Sequence, residues 1–441
     1  MGPLSARRLA DPTNRRRVLV MADQAASSLS NTLVGIFAAR ALSADGFGAF
    51  GLAWVAYFLV QGACRALVGE VLLSIHSAED AERRGRRLPD VLGATLTVSA
   101  VAAVGAAVVG VLLEPPSSSA LLAFAVVIPV VLVQDTWRFV CIVDRAGTAL
   151  LLDVVWLVAV CGVLAAAPEG AGAGWFVAAW GLSAAPAVAV AALADRRFLT
   201  WRLRPLRWLV AERATTSRFF GEYLTAQAGQ QLTLAAVSGL AGIAALGAVR
   251  ASQILYGPLN TIHRGIYMAV VPDGARVRSD PPRLRRLAVR ATALVVGAAV
   301  AWMVVALALP DRGGEALFGD SWAEGRDLVL PMGLAMIVGS AATGGFAGVR
   351  ALGDARASFR ARLTSLPGEL VLPVLGTWWG GAVGFALGFA AARSVTSAVW
   401  WRAFLVHAPA AAQGAATPGG TAESGGTDEL RLATAGTIDH G

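Results

Sequence analysis

The sequence predicts an all-α polytopic membrane protein of about 12 transmembrane helices in two pseudo-symmetric six-helix halves. Three observations carry this. Hydrophobic residues make up 56% of the 441 positions and charged residues only 15%, against roughly 25% charged in soluble domains. The charge is gathered into short patches between long apolar runs, and all 37 basic residues are arginine. Finally, a weak internal repeat relates the two halves. The net charge of +8 therefore speaks for topology, and no nucleic-acid partner is expected.

A span needs about 20 mostly apolar residues to cross the bilayer core. That measure gives twelve segments, near 18–41, 47–75, 91–113, 119–140, 146–167, 172–194, 218–240, 244–272, 287–309, 328–349, 357–377 and 380–405. Short turns join several of them, among them Ser43-Ala44-Asp45-Gly46 and Gly376-Thr377-Trp378-Trp379-Gly380. The arginines alternate with the spans, since positive charge near span ends stays on the cytoplasmic side. Arg7 to Arg17, Arg83 to Arg87, the 195–217 connection, the 273–286 loop and Arg350 with Arg356 all fall on one side. Both termini are thus expected in the cytoplasm, with the protein in the cytoplasmic membrane.

The expected organisation is a basic N-terminus (1–17), an N-terminal half (18–194), a basic connection (195–217), a C-terminal half (218–406) and a tail (407–441). The tail is too rich in Ala, Gly and Thr to bury a core and is expected to be disordered. No cleavable signal pattern precedes the first span, which is expected to remain. Cys64, Cys141 and Cys161 have no ligand spacing, and the four histidines form no cluster, so no metal or cofactor is expected. Outside loops are too short for a catalytic domain, and the chain is not expected to be an enzyme.

Shifting the sequence by 199 residues lays spans one and two on spans seven and eight without a gap. Asp23 then falls on Glu222, Asn31 on Gln230, Tyr57 on Tyr256, Gln61 on Asn260 and Arg65 on Arg264. Tyr57, Gln61 and Arg65 are spaced i, i+4, i+8, as are Tyr256, Asn260 and Arg264, so each triplet is expected on one helix face. Polar faces are costly against lipid and should turn inward, either toward a wet cavity or as glue between helices.

The stretch Ser30-Asn31-Thr32-Leu33-Val34-Gly35-Ile36-Phe37-Ala38-Ala39-Arg40-Ala41-Leu42, followed by Asp45-Gly46-Phe47-Gly48-Ala49-Phe50, resembles the first hairpin of polysaccharide-biosynthesis flippases. These belong to the multidrug/oligosaccharidyl-lipid/polysaccharide (MOP) exporter superfamily. The resemblance covers about 50 residues; the family's usual Gly-Pro turn is replaced by Ser43-Ala44-Asp45. It implies a MOP/MATE-like fold and movement of an isoprenoid-pyrophosphate-linked oligosaccharide from the inner to the outer leaflet by alternating access. The implied partners are that lipid-linked glycan, membrane lipids and polysaccharide assembly proteins.

Within this frame Arg65 and Arg264 are the candidates for the diphosphate, each roughly 15 Å deep at 1.5 Å per residue, because a guanidinium binds phosphate oxygens bidentately and keeps its charge. Gln61, Asn260, Tyr57 and Tyr256 are candidates for sugar hydroxyls. Asp23 and Glu222, with Asn31 and Gln230, are gate or coupling candidates. The two acids are expected either to pair across the halves with Arg264 and Arg65 or to be locked in permanent pairs within their own halves. Asp135 and Arg138, one turn apart, read as a local pair, and these residues and Asp153 are lesser candidates for lining the cavity. Gly380, Gly384 and Gly388 make a small-residue face for close helix contact. Competing readings are a multidrug and toxin extrusion (MATE) cation antiporter, which would favour acidic sites, a polytopic glycosyltransferase or ligase, and a membrane scaffold.

Overall fold

A computed structural model describes residues 12–194, 203–318 and 321–416, almost all of them helical. The chain begins with α1 (Pro12–Ala41) and α2, which runs through Ala44–Cys64, a π-helical turn Arg65–Gly69, and Glu70–Ser74. It continues with α3 (Ala81–Leu112), α4 (Ser117–Asp144), α5 (Ala146–Ala165) and α6 (Ala173–Leu182 with Ala185–Ala194). A short helix, Arg207–Ala211, leads into the second half. There Arg213–Leu255 is broken at Gly242, so α7 is 213–241, and α8 is 243–255 with Gly257–Arg276. Next come α9 (Pro281–Leu307) and α10 (Ser321–Ala341 with Thr343–Leu352). Ala355–Ala416 folds back at Gly380 and Gly381 into α11 and α12.

Eight of these elements are long and apolar enough to cross a membrane, and one of the eight is the α11–α12 hairpin. The more polar α1, α7 and α8 complete the twelve expected from the sequence. The polytopic all-α architecture is therefore as predicted, with corrections at the edges. The N-terminal helix already starts at Pro12, and α12 runs on through His407 to Ala416, so the first ten residues of the expected disordered tail are helical. Phe404 and Ala408 of α12 share an apolar cluster with Val349 and Ala351 of α10, which holds the helix past residue 406. Residues 1–11, 195–202 and 417–441, on which the remaining terminal and connection expectations fall, lie outside the described residues.

Turn chemistry sets the hairpins. Ser43 has an extended backbone, and its Oγ accepts from the Gly46 N–H at 3.2 Å, capping α2. The matching break at Gly242 stands 199 positions later with φ +88°, a left-handed conformation that glycine takes without strain. Gly381, φ +56°, turns α11 into α12.

The halves are built alike: α1 packs on α5 as α7 does on α11, α3 on α4 as α9 on α10, and α4 on α6 as α10 on α12. Glycines allow the last pair of contacts, Gly181 against Val127 and Gly348 against Phe404. Of the predicted glycine face, Gly384 and Gly388 close the α11–α12 hairpin against the Gly376 and Leu372 carbonyls, whereas Gly380 sits at the turn with nothing against it. A Cβ at Gly384 would collide with the Gly376 carbonyl. Gly384→Ala is expected to destabilise the protein by about 3 kcal/mol through this overpacking, read as a lower melting temperature in detergent.

Candidate functional site

The halves meet through α1 against α8 and through α2 against α7. The described bonds between these helices crowd toward the end that carries the N-terminus of α1. Arg16 Nη2 lies 2.5 Å from Asp273 Oδ1 and donates to the Ala269 carbonyl at 2.6 Å, while Arg17 Nε reaches Asp273 Oδ2 at 3.0 Å. Tyr267 on α8 donates to Glu70 on α2. At the same end Arg276 on α8 donates to the Val143 carbonyl of α4 at 3.1 Å. Nearest the middle of the bundle are Ser28 with Thr261, at 3.0 Å, and Tyr223, which donates to the Leu59 carbonyl at 2.8 Å. On α8, Asn260 and Arg264, which flank Thr261, are exposed, and so is Gln230 on α7. The halves are tied at one end and parted beyond it.

A buried charge cluster lies in the N-terminal half beside this parting. Arg65 makes a two-point bridge to Asp135, Nε to Oδ2 at 2.8 Å and Nη2 to Oδ1 at 2.6 Å. Arg138 is 1% exposed and contacts three carboxylates: Asp23 at 3.2 Å, Asp135 at 3.4 Å and Asp153 at 3.4 Å. It also donates to Ser27 Oγ at 3.2 Å. Gln24 donates to Asp23 at 2.9 Å, and Gln134 donates to Asp153 at 2.8 Å. Four helices thus converge on two guanidiniums and three carboxylates. Such a cluster is stable in an apolar bundle only because each charge finds a partner. It begins where the π turn widens α2 at Arg65, an irregularity often found at functional positions.

Arg264 stands across from this cluster. Arg65, Arg138, Asp135 and Tyr57 of the other half are the groups whose charges bear on it most, yet its side chain is exposed and has no ion pair or hydrogen bond among the described residues. Its guanidinium thus faces the charges of the other half without a described protein partner. Asn260, one turn away, is exposed on the same helix.

The remaining candidates are placed differently. Tyr57 is buried, edge-on to Trp180 at 4.6 Å, and accepts from Gln61 Nε2 at 2.5 Å. The second triplet does not share one face, because the helix breaks at Tyr256. Tyr256 turns into the C-terminal core, 1% exposed, and donates to the Val329 carbonyl at 2.7 Å, so its hydroxyl is already committed.

The gate pairing of Asp23 with Arg264 and of Glu222 with Arg65 is not what forms. Asp23 pairs with Arg138 inside its own half. Glu222 binds Arg350 at 2.9 Å and accepts from Ser358 at 2.7 Å, with Arg350 stacked 3.8 Å over the Phe219 ring. These are the intra-half pairs expected as the alternative, and desolvation explains them: a carboxylate this deep takes the nearest guanidinium in its own bundle. Asn31 accepts from the Trp180 indole N–H at 3.1 Å and joins α1 to α6. Asp135 and Arg138 are more than a local pair. The signal for this was Asp153, an intramembrane acid with no cation on its own helix.

At the tied end, His76 lies between two carboxylates, Nδ1 3.0 Å from Glu79 and Nε2 3.1 Å from Glu212, with Trp208 packed on its ring. This docks the connecting segment onto the N-terminal half. The bond with His76, opposed by partial burial and aided by the charges of His76 and Arg87, holds the Glu212 carboxyl below its ordinary 4.5. A depressed carboxyl contributes stability above its unfolded pKa, and that contribution disappears as pH falls below 4.5 through the folded value. Glu212→Gln is therefore expected to lower the melting temperature at neutral pH, with the gap to wild type closing on acidification below 4.5.

No family model matches the sequence, nor does any curated protein. Solved structures do match. The chain is similar to a MATE transporter crystallised with MaL6, with a TM-score of 0.77 and 12% identity over 91% of this chain and 98% of that one. It is similar also to an outward-facing multidrug resistance MATE family transporter of the MOP superfamily, with a TM-score of 0.72 and 12% identity over 91% and 97%. A third is a MOP superfamily transporter from Pyrococcus furiosus, with a TM-score of 0.71 and 12% identity over 91% and 97%; the reverse polarity of its binding pocket suggests a different function for that protein. The fold is thus the one shared by MATE transporters of the MOP superfamily. At 12% identity the likeness concerns architecture, and the cargo must be read from the site.

Proposed function

We propose that the chain is a membrane transporter that moves an anionic, membrane-borne substrate by alternating access, and that the substrate is a lipid-linked glycan carried on an isoprenoid diphosphate. The observation that supports this is Arg264, a guanidinium on the cleft wall with no described partner, facing the half that contains Arg65. A diphosphate would find there a planar donor fork in a site of reduced dielectric. Asn260, one turn from it on α8, and Gln230 on α7, both exposed, would offer hydrogen bonds to sugar hydroxyls. Gln61 and Tyr57 back the wall from the other half and hold one another. The bonds of Arg16 and Arg17 to Asp273 and of Tyr267 to Glu70 form the closed gate on the cytoplasmic side assigned by the arginine pattern, so substrate would leave toward the outer leaflet. The carrier lipid, the membrane around it and the enzymes of polysaccharide assembly would be its partners.

A second reading, a MATE-type cation antiporter, draws on the three carboxylates Asp23, Asp135 and Asp153, which outnumber Arg65 and Arg138 in the buried cluster. The two readings separate in proteoliposomes. The first expects a fluorescent isoprenoid-diphosphate oligosaccharide to become accessible to an external quencher only when the protein is present. Proton-driven uptake of an organic cation such as ethidium, with no movement of the glycolipid, would favour the second and refute the first.

A further inference from the structure

The C-terminal half carries a second basic site that the transport cleft does not use. The first turns of α9 and the 404–409 stretch of α12 line a groove of about 770 Å³. Its rim holds Arg285, Arg286 and Arg290, all exposed and none in an ion pair among the described residues. Its floor is apolar, with Val289, Phe404 and Leu405. Arg290 is the last charged residue of α9, since 291–307 contains none, so the groove lies where the helix passes from polar surroundings into hydrocarbon. Beyond the rim the apolar surface continues along exposed Leu294 on α9.

We infer that this groove binds an anionic phospholipid, with the headgroup phosphate among the three guanidiniums and an acyl chain along Val289 and Leu405. Charge complementarity selects the headgroup. The apolar floor selects a lipid over a soluble anion, because a free phosphate would leave it unfilled. None of the three arginines is among the groups whose charges bear most on Arg264, and none of the cleft residues lines the groove, so the groove and the transport site stand or fall separately.

The test is lipid retention by the purified full-length protein. The chain is equilibrated in nanodiscs of mixed phosphatidylglycerol and phosphatidylcholine, extracted into detergent, and its bound lipid quantified by mass spectrometry. Phosphatidylglycerol is expected to be enriched over the bulk mixture in wild type and in the control R83Q/R86Q. In R285Q/R286Q/R290Q the enrichment falls by more than about tenfold, while R285K/R286K/R290K keeps most of it. Unchanged enrichment in the glutamine variant, equal loss in the control, or loss in the lysine variant would overturn the inference. So would displacement of the lipid by inorganic phosphate alone, or a rise in retained lipid on truncation after Ala416, which would make the acidic segment 417–441 the occupant.

Discussion

Arg264→Ala is expected to reduce flipping of an isoprenoid-diphosphate glycan by about ten- to a hundredfold, the loss of one charge-assisted, bidentate contact worth roughly 1.5–3 kcal/mol. Folding should be spared. The side chain is exposed, no described partner is left behind, and its removal relieves repulsion from Arg65 and Arg138. Arg264→Lys retains the charge without the fork and should fall between the two. Arg65→Ala behaves differently, since it strips Asp135 of its two-point bridge and lowers stability along with transport. Transport measured beside thermal melting for both variants separates a ligand-binding arginine from a structural one. If Arg264→Ala flips substrate at the wild-type rate with normal folding, the binding role is wrong.

The largest stability loss should come from Arg138→Ala. Its guanidinium is the shared counter-charge of Asp23, Asp135 and Asp153, all within 3.4 Å and all buried. Removing one partner of a buried ion pair costs about 3–5 kcal/mol, and here three carboxylates lose it at once, although Asp135 keeps Arg65. The expected result is little monodisperse protein after extraction and a much lower melting temperature for what remains. Arg138→Lys should recover only part of the loss, because one ammonium cannot bridge three acids. Adding Asp23→Asn and Asp153→Asn to Arg138→Ala should restore much of it, since two of the three orphaned charges are then gone. A variant as stable as wild type would mean that the cluster is not held by Arg138.

What could be seen in the sequence follows from the range of the forces involved. Span positions, the hairpin turn at Ser43 and the 199-residue register come from local composition and turn chemistry, and Gly242 stands where that register requires a turn. Tyr57 and Gln61 do lie on one face of an unbroken helix, as their spacing indicates. Tyr256 has the same spacing to Asn260, but Gly257-Pro258 breaks the helix beside it and rotates it into the core. A repeat in sequence therefore preserved the register and lost the face. The charge partners were the least legible part. Asp23 and Arg138 are 115 positions apart, and Glu222 and Arg350 are 128; which acid meets which arginine depends on how helices pack, and every intramembrane acid in the sequence is a plausible partner for every arginine. Asp153 has no cation on its own helix, a signal that could have pointed to a partner from elsewhere. Arg264 stood out in the sequence by its depth in the span and its match to Arg65 at the 199-residue offset.

The most direct measurement is equilibrium binding to the purified protein of a short-chain isoprenyl diphosphate and, separately, of an organic cation such as ethidium, in wild type and Arg264→Ala. A cleft that presents a free guanidinium predicts that wild type binds the diphosphate, that Arg264→Ala loses that binding by at least about tenfold, and that the cation binds neither protein appreciably. Ethidium binding that survives or strengthens in Arg264→Ala, with no diphosphate bound by wild type, would contradict the anionic reading and make the carboxylate cluster the centre of the site.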